Sequence, residues 1–262
     1  MDQSHASNRA GALRAAGALG CVDLLPVCVS HLGDEHLICK LAAARSGVLL
    51  GGRGEAANTL RDLALEPGPA QSKTLPLALF AADLNEARAL VKQLAAQGAH
   101  PRTTIKAAGW AGDPQVTPWL LAHMEDAHHA RLAGEAFSFL TGVDLAVLNL
   151  DRSPPEQISP AVNDDPNDEN VGMDEDDGLP WPDPEKIGAW WQTNGHRFTP
   201  GARYFMGEPP SPAHCLKVLK AGSQRQRIAA AEYLCLLNPG TPLFNTAAPA
   251  WRQRRMLAQM GA

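Results

Sequence analysis

The sequence predicts an all-α protein arranged as an α-solenoid of helical hairpins, and three observations carry that prediction. First, KAAGWAGDPQVTPWLLAHM at 106–124 is a near copy of RAAGALGCVDLLPVCVSHL at 14–32, 92 residues earlier. Ala107-Ala108-Gly109 answers Ala15-Ala16-Gly17, Gly112 answers Gly20, Pro118 answers Pro26 and His123 answers His31. Second, turn residues recur about every 31 residues, at Gly20, Gly51, Ala82-Asp83, Gly112 and Gly142, a step that suits one helix pair. Third, the intervening segments are alanine- and leucine-rich with helical periodicity, and aromatic residues make up only 5% of the 262-residue chain, which favours close helix packing over a β-sandwich. Pairs of this kind bury their apolar faces against their neighbours, so stability accumulates repeat by repeat.

Residues 1–8 are polar and expected to fray. Helices are expected at 9–19 and 22–32, the second with Pro26 in its first turn, where a missing N–H costs little. The next pair, 35–49 and 54–66, flanks Gly51-Gly52-Arg53-Gly54. That group lacks the lysine-serine pair and strand of a nucleotide loop and reads as a turn. Glu66-Pro67-Gly68-Pro69 breaks the chain before a third pair, 71–82 and 84–97, with Asp83 as N-cap. After His100-Pro101-Arg102 comes the fourth pair, 102–111 and 114–125, with Asp113 capping and Pro114 at the first helical position. ARLAGEAFSFLTGVDL begins a fifth unit that Gly142 ends.

The expected organisation is therefore a repeat solenoid over 1–150, a long acidic mobile loop over 151–183, and a C-terminal helical segment over 184–262 that packs on or extends the solenoid. The loop is rich in Pro, Asp, Asn and Gly and buries too little apolar surface to offset its ordering entropy. In the last segment helices are expected at 184–194, 212–221, 223–237 and 249–259, with a tight turn and a short strand or hairpin around Arg203-Tyr204-Phe205-Met206.

Charge is uneven. Residues 1–150 carry 12 basic and 14 acidic side chains, 151–186 carry 2 and 12, and 187–262 carry 9 and 2. The net charge of −5 argues against general nucleic-acid binding, and the −10 segment followed by a +7 segment raises an internal electrostatic latch as an expectation. Five cysteines without a C-x-x-C pair read as reduced, mostly buried thiols. No signal-peptide pattern and no apolar run of about 20 residues is present, so a soluble cytoplasmic protein with no membrane partner is expected.

His123, Glu125, Asp126, His128 and His129 form the densest polar cluster. Only Glu125 or Asp126 with His129 meets helical ligand spacing, so an inter-helix turn is the expected reading and no metal is assigned. DDPNDENVGMDEDDG lacks calcium-loop spacing. No catalytic motif is present, Cys235 sits in an apolar helical run, and neither catalytic residues nor a cofactor are expected. Trp181, Trp190 and Trp191 with Tyr204 either anchor a partner or form a small core docking the C-terminal part. With Arg252, Arg254 and Arg255 they are the partner-binding candidates.

ARLAGEAFSFLTGVDL, DDPNDENVGMDEDDGLPWPDP, AWWQTNGHRFTPGARYFMGEP and RQRIAAAEYLCLLNPGTPLFNTAAPAWRQRR, in that order, resemble an uncharacterised proteobacterial family of HEAT-repeat-like proteins encoded near type VI secretion spike and PAAR-tip components. The resemblance covers 130–255 and, more loosely, the preceding repeats. It implies a non-enzymatic protein-binding scaffold, an adaptor or chaperone for a spike, tip or effector, and defines no catalytic residues. Members of that family carry a further helical region in front, so a short member or a shortened form is expected here. An immunity-type inhibitor of a toxin is the alternative, the acidic segment suiting a basic nuclease. HEAT-like repeats also resemble those of bilin lyases, but no cysteine or aromatic group here calls for a tetrapyrrole.

Overall fold

The computed structural model describes residues 3–155 and 175–261. Among the described residues lie thirteen α-helices and no β-strand, with isolated antiparallel bridges at Asp151–Pro182 and Phe205–Glu208. The protein is all-α, and no helix among the described residues is long and apolar enough to cross a membrane.

The 92-residue repeat is a recurrent three-helix motif. In its first copy α1 (Gln3–Leu19) leads through a 3-10 turn (Val22–Leu24) to α2 (Leu25–Ser30) and then α3 (Leu37–Leu49). In the second, α7 (Pro101–Ala111) leads through a 3-10 turn (Pro114–Val116) to α8 (Thr117–His123) and α9 (Ala130–Thr141). The matched residues act alike. Gly20 and Gly112 both adopt left-handed backbone, φ +69° and +68°, where a Cβ would lie 2.3 Å from a carbonyl oxygen, that of Gly240 or Tyr204 respectively; only glycine fits both demands. His31 and His123 each place Nδ1 2.9 Å from the carbonyl four residues back. Asp34 and Asp126 each accept the backbone N–H two residues on, at 2.9 and 3.0 Å, an Asx turn leading into the third helix.

Residues 3–8, expected to fray, are helical. Ala6 and Ala10 are buried, and the Cys39 thiol of α3 donates to the Ala6 carbonyl at 3.2 Å, so tertiary packing extends α1 beyond what its polar sequence suggests.

Contacts divide the chain into two compact units, one formed by the chain up to Ala99 with the chain from Pro209 on, the other by His100–Glu208. In the first, α3 packs on α1 and on α4 (Glu55–Leu65), which packs on α5 (Gln71–Ala81); α6 (Leu84–Ala96) follows. Asp83 and Glu86 form a reciprocal capping box at the start of α6, satisfying two otherwise orphaned N–H groups. A second hairpin, α11 (Pro212–Ala221) and α12 (Gln224–Leu237), belongs to the same unit, with α12 against α3 and α5. Its ties are Arg45 to Glu232 at 2.7 Å and the Phe80 and Tyr233 rings at 4.7 Å. The chain ends in α13 (Ala250–Gln259).

In the second unit, α7 and α8 pack on α9, and α10 (Pro184–Asn194) packs on α8. The core gathers Ile105, Ala108, Leu120, Met124, Phe137 and Ile187. The expected hairpin near Tyr204 is a two-residue turn, with Phe205 bridging Glu208 and positive φ at both Met206 and Gly207, as tight antiparallel turns require. Met206 and Gly207 donate to the Phe139 and Leu140 carbonyls, satisfying the end of α9. The boundaries expected at 150 and 183 both fall inside this unit, and the C-terminal segment expected as one piece is shared between the two units.

Candidate functional site

The aromatic candidates of the second unit form a chain of ring contacts. Asp183 caps α10, accepting the Lys186 N–H at 3.2 Å, and Pro184 fixes its first turn. This brings Trp190 and Trp191 edge-on to Phe137, with centroids 5.8 and 6.2 Å away. Trp191 continues to Phe198 at 5.2 Å, and Phe198 to Tyr204 at 5.0 Å. The Tyr204 hydroxyl accepts from the Thr199 N–H at 2.9 Å and donates to the Arg197 carbonyl at 3.3 Å. Trp181 lies under the Arg131 guanidinium, 4.7 Å from its carbon, a cation–π contact. Trp181 and Tyr204 are 9% and 6% exposed and so not open to a partner; only Trp190 and Trp191 of the four reach the surface.

The acidic segment is anchored at its described end. Both Oδ atoms of Asp176 take 2.7 Å hydrogen bonds from the Arg102 guanidinium, which also reaches Glu175 at 3.1 Å. Lys106 lies 3.7 Å from Glu175, and Arg131 donates to the Asp176 carbonyl at 3.0 Å. Asp176 is only 3% exposed; a carboxylate that buried needs such a bidentate partner. Its hydrogen bonds, foremost, hold the Arg102 guanidinium well above its ordinary range. At the base, Arg152 donates to the Trp181 carbonyl and Asp183 to the Leu150 carbonyl, at 2.8 and 2.9 Å. At the described end of the segment for which a latch onto the basic C-terminal part is expected, Glu175 and Asp176 meet Arg102, Lys106 and Arg131 instead; its acidic residues within 156–174 lie outside the described residues. The mobile-loop expectation for 156–174 falls outside the described residues, while 175–183 is fixed by these bonds.

The histidine-rich stretch is the second copy of the Asx turn. Asp126 accepts from the His128 backbone and from His129 Nδ1, at 3.0 and 2.6 Å, and these bonds, in that order, lower its pKa. Among the described residues no group of three or more His, Cys, Asp or Glu side chains is placed to hold a metal ion. Cys28, Cys39, Cys215 and Cys235 are buried free thiols and Cys21 is partly exposed. Desolvation pushes Cys215 up to about 11 and Cys235 up to about 12, which keeps both protonated and unreactive at neutral pH.

An exposed aromatic and basic face lies on α13. Gln253 turns inward and bonds the Thr246 and Ala248 carbonyls and Arg227. Met256, Leu257 and Met260 share its half-buried face. The opposite face carries Trp251, 66% exposed, with Arg254 and Arg255 one turn on and Arg252 beside it, all exposed. None of the three arginines has an ion-pair partner among the described residues. Sequence reading picked out the arginines and missed Trp251; the signal was its i+3 and i+4 spacing to Arg254 and Arg255, opposite the Met256–Leu257–Met260 stripe. Compared with protein families, curated proteins and solved structures, the chain matches none.

Proposed function

We propose that this protein is a non-enzymatic binding scaffold, a stack of HEAT-like helical pairs that holds another protein, and that it serves in the cytoplasm as an adaptor or chaperone for a type VI secretion spike, PAAR tip or effector. The observation that carries the binding reading is the outer face of α13, where an exposed indole stands among three exposed guanidinium groups that have no ion-pair partner among the described residues. Tryptophan and arginine dominate binding hot spots, and such a face complements an acidic, partly apolar surface. The secretion setting rests on the family resemblance in the sequence.

The test is co-purification of the full chain with candidate spike, tip and effector proteins. Wild type is expected to retain one of them, and Trp251→Ala combined with Arg252→Glu, Arg254→Glu and Arg255→Glu to lose it while unfolding at the same urea concentration. Recovery of none by wild type, or equal recovery by the variant, overturns the assignment. The second reading, a toxin inhibitor, is favoured by the charge of 151–186 and by Glu175, whose side chain is 72% exposed. It predicts rescue of toxin-expressing cells that lack any secretion machinery.

A further inference from the structure

The two copies of the three-helix motif differ at the turn between their second and third helices. Both keep a histidine at the end of the second helix, and in both its Nδ1 lies 2.9 Å from the carbonyl four residues back, that of Val27 for His31 and that of Trp119 for His123. A carbonyl only accepts, so Nδ1 of His123 carries the proton and its Nε2 keeps the lone pair. Six residues further on the copies part, the first having Leu37 and the second His129. His129 brings a second imidazole in the same state. Its Nδ1 lies 2.6 Å from Asp126 Oδ2, and an ionised carboxylate also only accepts, which again leaves the lone pair on Nε2. Neither Nε2 has a hydrogen-bond partner among the described residues. The two half-buried rings stand 6.4 Å apart, centre to centre, and the Trp119 indole lies 4.0 Å from the His123 ring.

We propose that His123 and His129 form a two-imidazole site for a divalent transition-metal ion, with water completing the coordination. An ion held by one Nε2 of each ring at about 2.0–2.1 Å sets the ring centres roughly 5–6.5 Å apart, depending on the angle at the metal, and the observed separation falls in that interval. Imidazole suits Zn2+, Cu2+ and Ni2+, whereas Mg2+ and Ca2+ take oxygen ligands. Asp126 supplies the outer carboxylate that fixes the tautomer of a metal-binding histidine and raises its basicity, and the His128 N–H holds that carboxylate in place. Two protein ligands are fewer than the three or four of a catalytic or structural zinc centre, and no larger group is placed for a metal among the described residues, so the ion held here is an exchangeable one. Because His123 ends α8 and His129 caps the start of α9, the ion ties the two helices across their turn. The site is independent of the α13 face.

The test is titration of the full chain, carrying no affinity tag, with Zn2+ by calorimetry and with Cu2+ by NMR, where the paramagnetic ion broadens the signals nearest to it. Saturable Zn2+ binding is expected, with Cu2+ broadening the signals of Trp119, His123 and His129 first. His129→Leu, which restores the residue of the first copy, and His123→Gln should each weaken Zn2+ binding about tenfold or more. Asp126→Asn keeps an oxygen to accept the His128 N–H and should also weaken it about tenfold, with the broadening still centred on the same two rings. His31→Gln, in the first copy, should leave that affinity unchanged. Each variant is compared at the urea midpoint of the wild type, and His129→Gln replaces His129→Leu if the latter unfolds early. Absence of saturable binding by the wild type overturns the proposal. So does an affinity that survives both His123→Gln and the His129 substitution, broadening centred on other histidines, or equal weakening by His31→Gln.

Discussion

The first and second copies of the three-helix motif share their turns and differ in their covers. Gly20 and Gly112, the two 3-10 turns, the two histidine-to-carbonyl bonds and the two Asx turns superpose in sequence at one spacing. These are local devices, satisfied by atoms within a few residues, so duplication of the sequence duplicates them. Packing has diverged. The second copy places Leu120 where the first has Cys28, and α10 rests on α8. The first copy keeps the smaller Cys28 and an apolar cavity of about 140 Å³ lined by α1 and α2. Ion pairing has diverged too: Asp34 of the first turn is held by Arg9 at 2.8 Å, whereas Asp126 is held by His129. The lesson is that a repeated backbone plan leaves the choice of neighbour to a few side-chain volumes and charges.

The largest effect that would sharpen this contrast is expected from truncating the matched core pair. Leu120→Ala removes a fully buried side chain from a closed cluster and should cost about 3–4 kcal/mol, against about 1 kcal/mol for Cys28→Ala, read from urea unfolding. Equal costs would show that the cover of α10 does not tighten the second copy. Next, Gly20→Ala and Gly112→Ala should each cost about 2–3 kcal/mol, because the new methyl meets a carbonyl in a left-handed conformation. A normal melting temperature for either one would break the equivalence of the turns.

The smallest effect concerns pH. The Arg9 guanidinium, ahead of the His36 N–H, holds the Asp34 carboxyl at about 2, below the ordinary value of about 3.9. A depressed carboxylate stabilises the fold fully above its unfolded pKa, and the contribution fades as pH falls through the folded one. Melting temperature should therefore drop between about pH 4 and pH 2, and Asp34→Asn should flatten that part of the curve. An unchanged acid limb in the variant would remove the ion pair from the comparison.

The sequence by itself determined the helices, their caps and the duplication. Proline, glycine and N-cap residues act on the backbone within one turn, as Asp83 with Glu86 and Pro184 after Asp183 illustrate. It also placed Arg252, Arg254 and Arg255 in a basic run. Tertiary structure alone decided the rest. Asp176 looked like any member of a solvated acidic run until Arg102, 74 residues away, enclosed it. Trp181 and Tyr204 became interior and Trp251 exterior, since an indole has the same identity in either place and only its neighbours fix its exposure. The grouping of α12 with α3 rests on Arg45 and Glu232, 187 residues apart. Burial and pairing across such separations depend on which surfaces meet after the chain has folded, and residue order does not encode that locally.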